Sequence, residues 1–269
     1  MPSIKVGNIN MYYEVHGDGE PLVLIQGLSL DSSAWVNQVS VFSQRYKVIV
    51  FDNRGVGQSD SPDLPYTTEM MADDTVGLLR VLNIKNAHVL GFSMGGMIAQ
   101  QIALKYPELV KSLILVTTGA KFPARAKYLT KLWLKMLEEQ VSTETRLQEI
   151  CLWVFTDEFF EDEARVTAAV NLGLNNPHPQ QNYGFAGQVA ALLQHDTRDK
   201  IDRILVPTLV LIGKDEIFIS LKFSEELATH IPNSELVVLE QGSHNYWLEF
   251  PEPFNQTVMQ FMAKLTASK

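Results

Sequence analysis

The apolar positions of this chain fall into two kinds of pattern. Short continuous runs recur at Leu22-Val23-Leu24-Ile25, Val48-Ile49-Val50-Phe51, Val89-Leu90, Leu113-Ile114-Leu115-Val116, Leu209-Val210-Leu211-Ile212 and Leu236-Val237-Val238-Leu239. Runs this short and this uniformly apolar are expected of parallel strands covered on both faces. Between them the period lengthens to that of amphipathic helices, over Ser33–Ser43, Thr68–Leu82, Gly95–Tyr106, Leu221–His230 and Pro253–Leu265. At the start, Ser3–Val6 and Ile9–Val15 alternate apolar and polar around Gly7-Asn8, which predicts a hairpin. The sum is an α/β protein: a mostly parallel, doubly wound sheet with an antiparallel N-terminal edge. One interval departs from the rhythm. From Thr117 to Pro207 no strand-like run occurs, and helices are predicted at Ala124–Glu139, Thr143–Phe155, Glu161–Leu172 and Tyr183–Gln194. That interval is rich in large apolar side chains, among them Trp133, Trp153, Phe155, Phe159 and Phe160, available to pack the helices or to roof a pocket.

Gly91-Phe92-Ser93-Met94-Gly95-Gly96 sits at a strand-to-helix junction. A G-x-S-x-G there reads as a nucleophile elbow, a tight turn that lifts a serine hydroxyl above the sheet edge. Such a serine needs a base and a group that orients the base, and both belong in loops after the carboxyl ends of strands. After Leu209–Ile212 comes Gly213-Lys214-Asp215-Glu216; after Leu236–Leu239 comes Glu240-Gln241-Gly242-Ser243-His244. The expected triad is therefore Ser93, Asp215 and His244, with Asp215 placed ahead of Glu216 because it comes first after the strand. His16, His88, His178, His195 and His230 fall elsewhere and are assigned structural or solvated roles. A tetrahedral intermediate also needs donors for its oxyanion. The backbone N–H groups of Met94, next after the nucleophile, and of Leu28, in the loop Gln26-Gly27-Leu28-Ser29, are the candidates.

Composition narrows the alternatives. The chain has 269 residues and a formal net charge of -9, which argues against a nucleic-acid partner. No apolar run approaches the roughly 18–20 residues of a membrane span. No charged-then-apolar leader is visible at the start, and a single cysteine, Cys151, excludes an intrachain disulfide; a reducing cytoplasm is expected. Gly55-Val56-Gly57 is half of a dinucleotide fingerprint without its third glycine, and no phosphate-binding loop or His/Cys cluster occurs. Neither cofactor nor metal is expected; the partner is a small-molecule substrate.

The motifs together resemble the α/β-hydrolases, close in pattern to lactonase, carboxylesterase and cofactor-free haloperoxidase-like members. The matching pieces are Gln26-Gly27 with Ser32-Ser33-Ala34-Trp35, Asp52–Ser59, Gly91–Gly96, Pro207-Thr208 with Gly213-Lys214-Asp215, and Ser243-His244 with Glu249-Phe250-Pro251-Glu252. The resemblance implies a hydrolase core over 1–119 and 205–269 and a helical cap over 120–204. Where the family carries His-Gly, this chain has Gln26-Gly27, a change of shape and protonation beside the oxyanion loop. The activity implied is cleavage of esters or lactones of small, largely apolar acids through an acyl-enzyme. Carbon–carbon bond hydrolysis and perhydrolysis use the same triad, and a ligand-sensing signalling protein on this scaffold is an alternative of another class.

Overall fold

A computed structural model describes residues 3–267 of the chain. Eight strands form one sheet: β1 (Ser3–Val6), β2 (Ile9–His16), β3 (Glu20–Ile25), β4 (Tyr46–Phe51), β5 (Ala87–Phe92), β6 (Val110–Val116), β7 (Thr208–Gly213) and β8 (Ser234–Leu239). Their spatial order is β1-β2-β4-β3-β5-β6-β7-β8. The β1–β2 and β2–β4 pairs are antiparallel, and every later pair is parallel. Gly7, at φ 54°, makes the tight turn that brings Val6 opposite Ile9.

Helices cover both faces because the strands are apolar on both. Alternate residues go opposite ways: Leu22, Leu24, Val48 and Val50 pack into one core layer, and Val23, Ile25, Ile49 and Phe51 into the other. The first layer is closed by α1 (Val36–Phe42), α10 (Tyr246–Glu249) and α11 (Pro251–Ala267), through Phe42, Trp247, Phe254 and Val258. The second is closed by α2 (Thr68–Val81), α3 (Met94–Lys105) and α9 (Leu221–His230), through Met71, Val76, Ile98, Ile102 and Leu227. Each such side chain contributes roughly 1.5–3 kcal/mol on burial, so the sheet is held from both sides by the same kind of force.

Between β6 and β7 the chain is helical: α4 (Ala124–Glu138), α5 (Thr143–Val154), α6 (Asp157–Phe160), α7 (Glu163–Leu174) and α8 (Asn182–Gln194). The short α6 adds one helix to the four expected. Its stem is closed by an antiparallel bridge, Lys121 to Asp196, and by the Thr197 N–H donating to Ala120 O at 2.7 Å.

Candidate active site

Ser93 stands at the N-cap of α3 with φ 54° and ψ −115°, a left-handed backbone that a side-chain-bearing residue adopts only under constraint. The constraint is the crowding of the turn. A Cβ on Gly91 would lie 2.2 Å from Gly95 O, and one on Gly95 would lie 2.1 Å from Ile25 O. Glycine is therefore required at both places for strand and helix to pass this closely. The Ser93 N–H donates to Val116 O at 2.9 Å and Ser93 O accepts from the Thr118 hydroxyl at 2.8 Å. The turn is thus pinned to β6 and the loop after it, while Oγ is left for the base.

The residue in reach of Oγ is His244, the base expected from the sequence. Its Nε2 lies 3.1 Å from Ser93 Oγ, and the ring is 4 % exposed. Phe92 and Phe218 flank the imidazole, both with ring centroids 5.0 Å away. The apolar flanks restrict the ring to small rotations and keep bulk water from its faces.

The carboxylate beside His244 is not the one expected. Nδ1 of His244 lies 3.1 Å from Glu216 Oε2, and the Glu216 side chain is 1 % exposed. Asp215 is exposed and its Oδ2 accepts from the Gly242 N–H at 3.0 Å. The cause is the way the chain leaves β7. Lys214 and Asp215 are the central residues of the turn that follows the strand, and their N–H groups donate to Leu239 O and Gly242 O, on the β8 side. Only the Glu216 N–H, bonded back to Gly213 O, closes the turn that carries a side chain inward. Position after the strand is therefore a poorer guide than position in the turn. The other Glu216 oxygen accepts from the Ile219 N–H at 2.5 Å, which fixes the carboxylate toward the histidine.

The loop Gln26–Ser29 lies against the nucleophile: a Cβ on Gly27 would stand 3.2 Å from Ser93 Cβ. Gln26 is fully buried and its Oε1 accepts from the Gly27 N–H at 3.2 Å. The Asn53 side-chain N–H donates to Gln26 O at 3.1 Å. Gln26 thus braces its own loop. Met94 is the first residue of α3, and the opening N–H groups of a helix have no acceptor within it.

Asp52–Ser59 is a scaffold turn beside this loop. Asp52 accepts from the Ser32 N–H at 2.7 Å and the Gln58 N–H at 2.8 Å, and burial pushes its carboxyl above the usual range against those bonds. Arg54 forms a buried two-pronged pair with Asp74, at 2.5 and 2.6 Å. Four of the five remaining histidines have ring partners away from Ser93, and the fifth, His178, is exposed: His16 meets Glu14, His88 meets Ser112, His195 meets Thr68, and His230 meets Glu226 O.

The aromatic side chains of the helical segment divide. Trp133 of α4 stacks on Phe218 at 5.7 Å, and Phe122 meets Phe218 at 6.1 Å, so these rings extend from the His244 side of the site. Phe155, Phe159 and Phe160 instead pack with Cys151 between the segment's own helices.

A strained serine at a strand–helix turn, with a histidine and a buried carboxylate in line behind it, on a parallel sheet with this strand order, defines an α/β-hydrolase. A family model described as the alpha/beta hydrolase fold matches residues 20–251, and the chain belongs to that family. It is a hydrolase. It is 30% identical over 264 residues to 3-oxoadipate enol-lactonase 2 of Acinetobacter baylyi, covering 97% of this chain and 96% of that one. It is 29% identical over 267 residues to a candidate carbamate hydrolase, RutD, of Stutzerimonas stutzeri, covering 94% and 97% respectively. Among solved structures, the enol-lactonase of Burkholderia xenovorans superposes with a TM-score of 0.86 at 25% identity, over 97% of this chain and 100% of that one.

Proposed function

We propose that the protein cleaves esters or lactones of small, largely apolar acids by way of an acyl-enzyme on Ser93. The observation that carries this reading is the unbroken line Ser93 Oγ, His244 Nε2, His244 Nδ1, Glu216 Oε2, with 3.1 Å at each junction. In it Glu216, rather than Asp215, holds the imidazole in the tautomer whose Nε2 can accept a proton. Ser93 Oγ attacks the acyl carbon as His244 takes its proton. The amides of Met94 and Leu28 bind the oxyanion. Collapse expels the alcohol, which receives the proton from His244, and a water deprotonated by the same nitrogen then releases the acid. In a lactone the expelled alcohol stays attached to the acyl chain, and deacylation yields the hydroxy acid.

The relatives' names support an acyl carbon as the point of attack, since enol-lactones and carbamates both present one. The Trp133–Phe218 stack against His244 supports an apolar acyl group. In this reading residues 120–204 serve as a cap over a small-molecule site. No described helix is long and apolar enough to cross a membrane, and the lone thiol of Cys151, buried and pushed up by that burial, fits a reducing cytoplasm.

The test is turnover of short p-nitrophenyl esters, with labelling by a fluorophosphonate. Ser93→Ala is expected to lose both. Activity at the wild-type level in that variant would remove Ser93 from the mechanism.

A further inference from the structure

The oxyanion loop is held from outside the hydrolase core. Ser29, a non-glycine residue at φ 66°, donates its N–H to Gln188 Oε1 at 3.0 Å and its hydroxyl to Gln180 Oε1 at 2.6 Å. Gln188 is a fully buried residue of α8, and Gln180 lies just before that helix. The two amides also bond each other, Gln180 Nε2 to Gln188 Oε1 at 3.0 Å. Their remaining donor capacity goes to the neighbouring turn: Gln188 Nε2 to Arg54 O and Gln180 Nε2 to Gly55 O, each at 2.9 Å. Helix α8 is itself seated backbone to backbone on that turn, because a Cβ on Gly184 would stand 2.4 Å from Gly55 O. The glutamine pair is therefore fixed relative to the core before it grips the loop.

The consequence follows from which peptide planes are gripped. Gln26 O and Gly27 N belong to one plane, and both are bonded, to Asn53 and to Gln26 Oε1. Ser29 N belongs to the plane two further on, and it is bonded to Gln188. The intervening plane carries the Leu28 N–H. With both flanking planes held, the intervening plane keeps only a rotation about the line joining the Cα atoms of Gly27 and Leu28, and a shift of Ser29 would tilt that line and carry the N–H with it. We infer that Gln188, supported by Gln180, is a positioning residue for hydrolysis: it aims the Leu28 amide at the oxyanion and thereby makes α8 part of the transition-state machinery. This rests on the acyl-enzyme reading given above. It adds that a helix of the inserted segment acts on the rate constant for chemistry as well as on substrate entry.

A donor that is misdirected rather than deleted should cost less than the 10²–10³-fold lost with an oxyanion donor. Gln188→Met keeps the volume of the side chain and removes its hydrogen bonds. It is expected to lower kcat on p-nitrophenyl esters about 10–100-fold, with KM changed less than about threefold and the shape of the pH–rate profile unmoved. Gln180→Ala, at a less buried position, should show the same pattern at about 3–10-fold and serves if the Gln188 variant does not fold. Amide hydrogen exchange at Leu28 and Ser29 should quicken in both. Wild-type kcat in a folded Gln188→Met, or a loss carried wholly in KM, would overturn the assignment. If the wild-type protein neither turns over esters nor takes the fluorophosphonate, the functional reading fails by itself. Exchange at Leu28 and Ser29 then still decides: unchanged rates refute the clamp, faster rates uphold it.

Discussion

Glu216 is one methylene longer than Asp215, and in this site the extra length is used to reach a histidine from within a turn. The two acids are neighbours, yet one is buried against His244 Nδ1 and the other accepts a backbone N–H at the surface. Exchanging each for its amide separates the roles. Glu216→Gln keeps the shape but no longer favours the productive tautomer, and kcat should fall by about 10²–10⁴. Asp215→Asn retains a carbonyl that can accept from Gly242, so its kcat should stay within about threefold of wild type, since a neutral hydrogen bond is worth only ~1 kcal/mol net. Steady-state kinetics of the two variants, with circular dichroism to establish folding, check both outcomes. Inversion of the pattern would restore Asp215 as the orienting acid.

At the scale of elements, the elbow is a meeting of β5, α3 and the end of β3 at distances only glycine allows. Gly95→Ala places a methyl 2.1 Å from a backbone carbonyl that cannot rotate away, because Ile25 is paired in the sheet. The loss should be at least about 2 kcal/mol, as for other overpacked cores. Gly119→Ala is the control: its nearest neighbour would be 3.2 Å away, and its φ is not left-handed. The unfolding free energies of the two from urea denaturation should therefore differ by most of that figure. The comparison measures the cost of separating helix α3 from the end of β3 at the elbow.

At the scale of the whole molecule, the seam between inserted helices and core contains a buried histidine. His195 is 2 % exposed, bonds Thr68 Oγ1 through Nδ1 at 3.0 Å, and has no hydrogen-bond partner at Nε2. Desolvation pushes its pKa down to about 3 from 6.5, with the nearby Asp196 acting in the opposite direction. A base that resists protonation when folded favours unfolding in acid: the unfolded chain binds the proton near pH 6.5 and the folded chain does not until near pH 3. The stabilisation is present above pH 6.5 and drains as pH falls toward 3. At pH 4.5 the loss from this group should reach about 2–3 kcal/mol. His195→Asn, which keeps a polar atom for Thr68, should flatten the acid limb of a stability–pH curve by about that amount. A parallel fall in wild type and variant would assign acid lability to other groups.

The alternation and the short apolar runs determined the order of strands and helices, the antiparallel edge, the helical interval and the elbow. These follow from which faces must be buried, a property each segment carries locally. The pairing of Ser93 with His244 was legible too, because strand ends confine where catalytic groups can stand. The choice between Asp215 and Glu216 was not, since it depends on how the turn after β7 is closed, with Glu216 N–H on Gly213 O and Asp215 held at the surface against Gly242. Nor was the division of the aromatic side chains between Phe218 and the segment's own interior, or the grip of Gln180 and Gln188 on Ser29 across more than 150 positions of sequence. Those were decided by tertiary structure, because a hydrogen bond between distant residues leaves no periodicity in either stretch of chain.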